Sequence, residues 1–216
     1  MTSDLTVEKG RPWRGLSPVE RREARRRRLL EAALELFGTT GYAGTSLTAL
    51  CSLAGVSPRH FYDIHPGREQ LLAELYDEIA ADIVGRLRRA QAAAPLNVQD
   101  QVHAGLEAVV SALADDPRRA RVLLVEIVGV SGPLDALRRQ WVRRFSEVIC
   151  QSHTRLVTGA GLPPRDVAAV AVGLVGAINE LLTDWLLTDP RPEASSVLPP
   201  LSLILTAVFE LQSCPD

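Results

Sequence analysis

The segment Ala54-Gly55-Val56-Ser57-Pro58 constrains the fold of this chain more than any other five residues. Gly55 follows the apolar residues Leu47, Leu50, Leu53 and Ala54. It stands where a helix ends in positive φ, a conformation that costs glycine little because it has no Cβ. Ser57 offers a hydroxyl to cap the next helix, and Pro58 suits its first position, where a missing N–H breaks no intrahelical bond. One helix must stop and another start within three residues, which is the geometry of a helix-turn-helix. Val56 fills the angle and Phe61 the inward side of the second helix, so Arg59, His60, Tyr62 and Asp63 are left on its outward side. A further helix opens at Arg68.

The outward residues have the chemistry to read a duplex. An arginine can bridge guanine O6 and N7, a histidine can bond a base edge or a phosphate, and a proline such as Pro58 can rest against a thymine methyl. A Ser-Pro corner in an all-α protein that never meets DNA would show the same local pattern, so both readings stay open on this segment alone.

Upstream, Ser17-Pro18-Val19-Glu20 is a capping box with proline at the first helical position. It opens a helix through about Phe37, ended by Gly38, with Leu29, Leu30, Ala33, Leu34 and Phe37 as its buried stripe. Arg21, Arg22 and Arg25 to Arg28 crowd its first half. Four consecutive arginines sweep most of a helix's circumference, so some face solvent or acidic neighbours; one or two are expected on phosphate, the rest supplying a long-range field.

Taken in order, these features resemble the N-terminal domain of the TetR family of transcriptional regulators over residues 17 to 76. The pattern is Leu36-Phe37 before the Gly41-Tyr42 turn, Thr45-Ser46 opening the second helix, and the turn at 54 to 57. Tyr62 then sits in the recognition helix, and Arg68-Glu69 start the fourth. The resemblance implies that Thr45 and Ser46 bind phosphate through hydroxyls and helix N-terminal N–H groups, that Tyr62 hydrogen-bonds the DNA backbone, and that Arg68, which replaces the usual lysine, grips phosphate; Ser57 and Pro58 join them as DNA-binding candidates. Arg59 and His60 fall at the variable base-reading positions. Pro58-Arg59 departs from the small or basic pair common there, so no recognised sequence can be borrowed. His65 stands where the family has a core phenylalanine, as a packing histidine or a DNA contact.

Charge agrees with this polarity. Through residue 70 the chain carries 11 Lys/Arg against 8 Asp/Glu, and beyond it 13 against 18. The basic end is the expected DNA end. Cys51, Cys150 and Cys214 show no disulfide or metal spacing, and residues 1–16 lack the apolar core of a signal peptide, which together suggest a cytoplasmic protein. Cys51 is expected to serve packing. The longest apolar run, Val167 to Ile178, is short of the roughly 20 residues that span a bilayer, so no membrane partner is expected. Residues 1–16, with Lys9, Arg11 and Arg14 around Trp13, read as a disordered basic arm.

The rest of the chain is helical, with no alternating β pattern of useful length. The fourth helix runs to about Ala94, and punctuation at Pro95, Asp115-Asp116-Pro117, Ser131-Gly132-Pro133, Gly159 to Pro164 and Asp189 to Pro192 follows. Helices are expected near 97–114, 117–129, 133–158, 164–188 and 198–212, about nine in all. The fold class is therefore all-α: a helix-turn-helix DNA-binding domain over 17–66 and a helical effector-binding and dimerisation domain over 67–216.

The last two helices are the expected homodimer interface. Ala169, Gly173, Gly176 and Ala177 put small residues along one, and Leu201, Leu205, Val208 and Leu211 an apolar stripe along the other; covering the monomer's own core is the alternative. Two recognition helices about one turn apart would read a palindromic operator. In the family an effector enters the C-terminal domain and lowers DNA affinity, a coupling that is reciprocal. Polar or aromatic residues on apolar helices are the candidates to line that site: His103, Glu126, Trp141, Asn179, Glu180 and Trp185. Glu126 interrupts Val122 to Val128 and needs a partner, either a cationic ligand or Arg121 or Arg138. His103, Glu126 and His153 lack metalloprotease spacing, and there is no nucleophile elbow or glycine-rich phosphate loop. No catalytic residue, metal or cofactor is expected. The reading is a ligand-responsive repressor; the competing class is a helical adaptor that binds another protein instead of DNA.

Overall fold

The computed structural model describes residues 17–156 and 164–211. The expected basic arm, most of the Gly159 to Pro164 break, the side chain of Leu211 and Cys214 lie outside the described residues. Among those residues the chain forms α1 (Pro18–Thr39), α2 (Leu47–Ala54), α3 (Pro58–Tyr62), α4 (Arg68–Ala93), α5 (Val98–Ala114) and α6 (Pro117–Arg121). A π-helical segment (Val122–Glu126) follows, then α7 (Gly132–Leu156), α8 (Pro164–Leu187), a 3₁₀ turn (Ala194–Val197) and α9 (Leu198–Leu211).

The local signals act as the sequence implies at most helix ends. Ser17 Oγ accepts from the Glu20 N–H at 3.2 Å while Glu20 accepts from the Ser17 N–H at 2.7 Å. Ser46 and Ser57 cap α2 and α3 through the N–H groups of Ala49 and His60. Each such cap contributes about 1 kcal/mol. Gly55 takes φ +59°. Around this corner Leu29, Ala33, Phe37, Leu50, Cys51, Val56, Phe61, Leu71 and Leu72 form one buried cluster.

Two elements depart from expectation. Gly38 does not end α1; the helix runs on to Thr39, and Gly38 is where α6 crosses it. A Cβ there would lie 2.4 Å from Arg118 Cβ and 2.8 Å from Arg118 Cα, so the glycine permits the approach. The helix expected over 117–129 is instead five residues of α-helix followed by the π segment. The wider π turn lets Leu123 and Leu124 join the core while Glu126 reaches the loop between α1 and α2.

Beyond the corner, α4 packs on α5, α5 on α9, and α7 on α8, with α4 the shared spine of both halves. The α9 stripe is corrected in its facing. Leu201 and Leu205 are buried inside the monomer and Val208 is half-buried, whereas Leu203 is 72% exposed and Ile204 37%. On α8, Ala169, Val172, Gly173 and Gly176 are exposed, and nothing lies within 4 Å of a Cβ built on either glycine. Residues Asp166–Leu187 of α8 are, by length and composition, enough to cross a membrane, more than the uninterrupted apolar run indicated, and only 22% of the most apolar window is buried in the monomer.

Candidate nucleic-acid interface and regulatory cavity

The short helix α3 is anchored from one side and open on the other. Phe61 is fully buried, its ring 5.5 Å from that of Tyr62 in a T-shaped contact, and Tyr62 is 58% exposed. Pro58, Arg59 and His60 are exposed. Ser57 Oγ lies 3.0 Å from His60 Nδ1, which holds that ring over the start of the helix. No hydrogen bond or ion pair engages the Arg59 guanidinium among the described residues. The same face therefore carries an uncommitted cation, an imidazole and a phenol.

The arginines of α1 brace this face. Arg22 donates to the Asp63 carbonyl at the end of α3 (3.3 Å) and Arg28 to the Gly55 carbonyl (3.4 Å). Arg26 binds Glu23, Glu74 and Glu78, so part of the arginine run is spent on acidic neighbours. His65 is 3% exposed, with its Nε2 paired to Glu74 and its ring 5.7 Å from Phe61; it packs in the core where the family has phenylalanine.

Two of the phosphate candidates are placed differently from expectation. Thr45 is 2% exposed and its hydroxyl donates to the Gly41 carbonyl at 2.7 Å, so it closes the α1–α2 loop and leaves Ser46 as the exposed hydroxyl of the pair. Arg68 is half-buried; it donates to the carbonyls of Tyr42 and Thr45 and lies 5.0 Å from the centre of the Tyr42 ring. Its guanidinium holds the start of α2 in place, a task invisible from its position before α4.

An apolar cavity of about 80 Å³ lies between α4, α5, α7, α8 and α9. Leu106, Val109, Phe145, Ile178 and Phe209 are among its walls, and Leu123 and Leu124 of the π segment close one side. Of the six candidate lining residues, Asn179 is in its wall and Glu180 borders the adjoining pocket. The other four sit elsewhere. His103 is on the surface near Glu107, Trp141 donates to Asp77 (2.9 Å), and Trp185 donates to the Pro192 carbonyl (2.9 Å). Large indoles with satisfied N–H groups serve the core here. The polar residues that do line the cavity, Gln91, Gln101 and Ser152, were missed. The available signal was spacing: Gln101, Gly105, Val109 and Leu113 recur every four residues on one face of α5.

Glu126 links the cavity wall to the DNA-binding half. Its Oε2 accepts from the Tyr42 N–H at 2.7 Å and its Oε1 from Arg121 Nε at 2.8 Å, with the side chain only 11% exposed. The required partner is thus Arg121 together with a backbone amide of the α1–α2 loop. Glu126→Ala is expected to destabilise the fold by about 1.5–3 kcal/mol, because it strands a part-buried N–H and removes charge-assisted bonds. Arg121→Ala should cost less, its side chain being 40% exposed; paired urea midpoints check the order.

Residues 29–75 match the family described as bacterial regulatory proteins, tetR family. Over this stretch the chain is similar to tetR-family regulators. The match spans the helix-turn-helix, and the function it carries is DNA-binding transcriptional regulation. Beyond it the likeness is one of fold. The fatty acid degradation regulator FadR of Bacillus halodurans aligns over 89% of this chain and 96% of its own at 17% identity, with a TM-score of 0.74. FadR of Bacillus subtilis in complex with stearoyl-CoA aligns over 84% and 98% at 18% identity and 0.72. A tetR-family regulatory protein from Rhodococcus RHA1 aligns over 89% and 98% at 19% identity and 0.68. No curated protein matches the chain.

Proposed function

We propose that this chain is a TetR-family regulator, a ligand-responsive repressor that binds a palindromic operator as a homodimer in the bacterial cytoplasm, acting by binding and not by catalysis. The observation that carries the reading is the uncommitted face of α3, where Pro58, Arg59, His60 and Tyr62 stand exposed above a buried Phe61. Arg59 and His60 read bases, whereas Ser46, Ser57 and Tyr62 meet phosphate.

The dimer reading rests on α8 and α9, whose outer faces present Val172, Leu203 and Ile204 beside Gly173 and Gly176. Exposed apolar residues of this number beside small ones suit a close helix-on-helix interface. The effector reading rests on the cavity. Leu123 and Leu124 wall it, and Glu126 of the same segment bonds the Tyr42 amide, so a ligand that moves the segment alters the seat of α2 and α3. The stearoyl-CoA bound by the Bacillus subtilis FadR supports a small molecule with a long hydrocarbon chain as the class of effector.

Selection of random duplex DNA by the purified chain at fixed salt tests the DNA reading, with an Arg59→Ala/Tyr62→Ala variant alongside. An enriched palindrome that the variant loses is expected. Identical enrichment by the variant, or none by either, would favour an adaptor that uses this face for a protein.

A further inference from the structure

Next to the apolar cavity lies a second pocket of about 180 Å³, and the two share Leu123, Leu124, Phe145, Val175 and Asn179 as common walls. Beside Val128 and Val142, its other lining residues are Tyr76, Arg138, Glu180 and Thr183. Arg138, from α7, is half-buried, and its Nε is fully buried with no hydrogen-bond partner. The carboxylate that the sequence offered it, Glu126, is taken by Arg121. No carboxylate pairs with Arg138 among the described residues.

A partly dehydrated guanidinium without a counter-charge is costly until an anion reaches it. Glu180 borders the same pocket but is exposed, so water screens its charge. Burial pushes the Tyr76 phenol up to about 12, against a smaller opposing pull from Arg138, so it remains a hydrogen-bond donor at neutral pH. The pocket offers a cation and a donor in its lining, and the adjoining cavity offers hydrocarbon.

We infer that the effector is an anionic amphiphile whose head group is held by Arg138 and whose hydrocarbon tail lies in the apolar cavity. The inference rests on the cavity being the effector site, as proposed above. A carboxylate head and a phosphate head share the chemistry that Arg138 recognises, bidentate acceptance from its fork of N–H groups.

Titration of the full-length protein with dodecanoate, dodecyl phosphate and dodecanol, each below its aggregation threshold, tests it. Binding is followed by calorimetry and by release of the selected operator. The wild type should bind at least one of the two anions about tenfold or more tightly than dodecanol; which one is tighter identifies the head group. Arg138→Ala should lose that margin while its dodecanol affinity stays, and Arg138→Lys, which keeps the charge, should retain part of it. A circular dichroism melt confirms that both variants fold. Dodecanol binding as tightly as the anions, or an Arg138→Ala variant that keeps the margin, would overturn the inference and leave the effector cavity standing. No binding of any of the three, with operator affinity unchanged, would overturn the cavity reading and this inference with it.

Discussion

Gly38→Ala is expected to lower the stability of the protein by about 2 kcal/mol, opposite in sign to the usual effect of removing a glycine from a helix interior. Alanine favours a helix over glycine by about 1 kcal/mol. Here the added methyl would meet Arg118 at 2.4 Å from its Cβ and 2.8 Å from its Cα, and backbone does not move aside as a flexible side-chain end does. Arg118 is also pinned. It bonds Asp116 through Nε and a terminal nitrogen, both at 2.8 Å, and reaches Glu35 of α1 at 2.6 Å. That pairing holds the Asp116 carboxyl below its usual range. Overpacking of this kind costs up to about 3 kcal/mol, which outweighs the helix preference. Urea midpoints of wild type and variant read the sign directly, and a stabilised variant would mean that α1 and α6 separate more easily than the contact implies.

The second large effect is expected at the outer face of α8 and α9. Val172→Glu with Leu203→Glu leaves the monomer's core untouched, because these side chains are 44% and 72% exposed. If two copies meet there, the double variant places four carboxylates in an apolar seam, and the desolvation cost separates the dimer. Operator affinity then falls by about 100-fold or more, since each recognition helix loses the avidity supplied by the other. The melting temperature at low concentration should change little by comparison. Sedimentation shows the outcome, and a variant that stays dimeric would move the interface elsewhere. Leu205→Glu is the contrasting control: Leu205 is 6% exposed and its replacement should unfold the chain.

How legible these features were in the sequence depends on how local the physics is. The caps at Ser17, Ser46 and Ser57 and the turn at Gly55 act within four residues, so the helix-turn-helix could be read position by position. Arg68 could be read as a cation at the start of α4, but not as the group that bonds the Tyr42 and Thr45 carbonyls, because those partners are 26 and 23 residues away. Gly38 looked like a helix end since a glycine is a common stop; its actual reason is a partner 80 positions on. Helix α9 is apolar on two sides, Leu201 and Leu205 on one and Leu203 and Ile204 on the other, and periodicity alone does not say which side the monomer covers. The cavity residues were missed for a related reason. Charged and aromatic side chains stand out on an apolar helix, whereas Gln101 and Gly105 mark the site by being neutral or small on an inward face. The tie between Glu126 and the Tyr42 amide, and the unpaired Arg138, emerged only once the helices were in place.

The central claim is that two copies of this chain, joined through α8 and α9, read two halves of one operator. Sedimentation of the protein with the selected duplex, and with a duplex carrying only one of its halves, tests it most directly. Two chains per full site are expected, with the half-site bound about 100-fold or more weakly. One chain per full site, or equal affinity for the whole and the half, would contradict it.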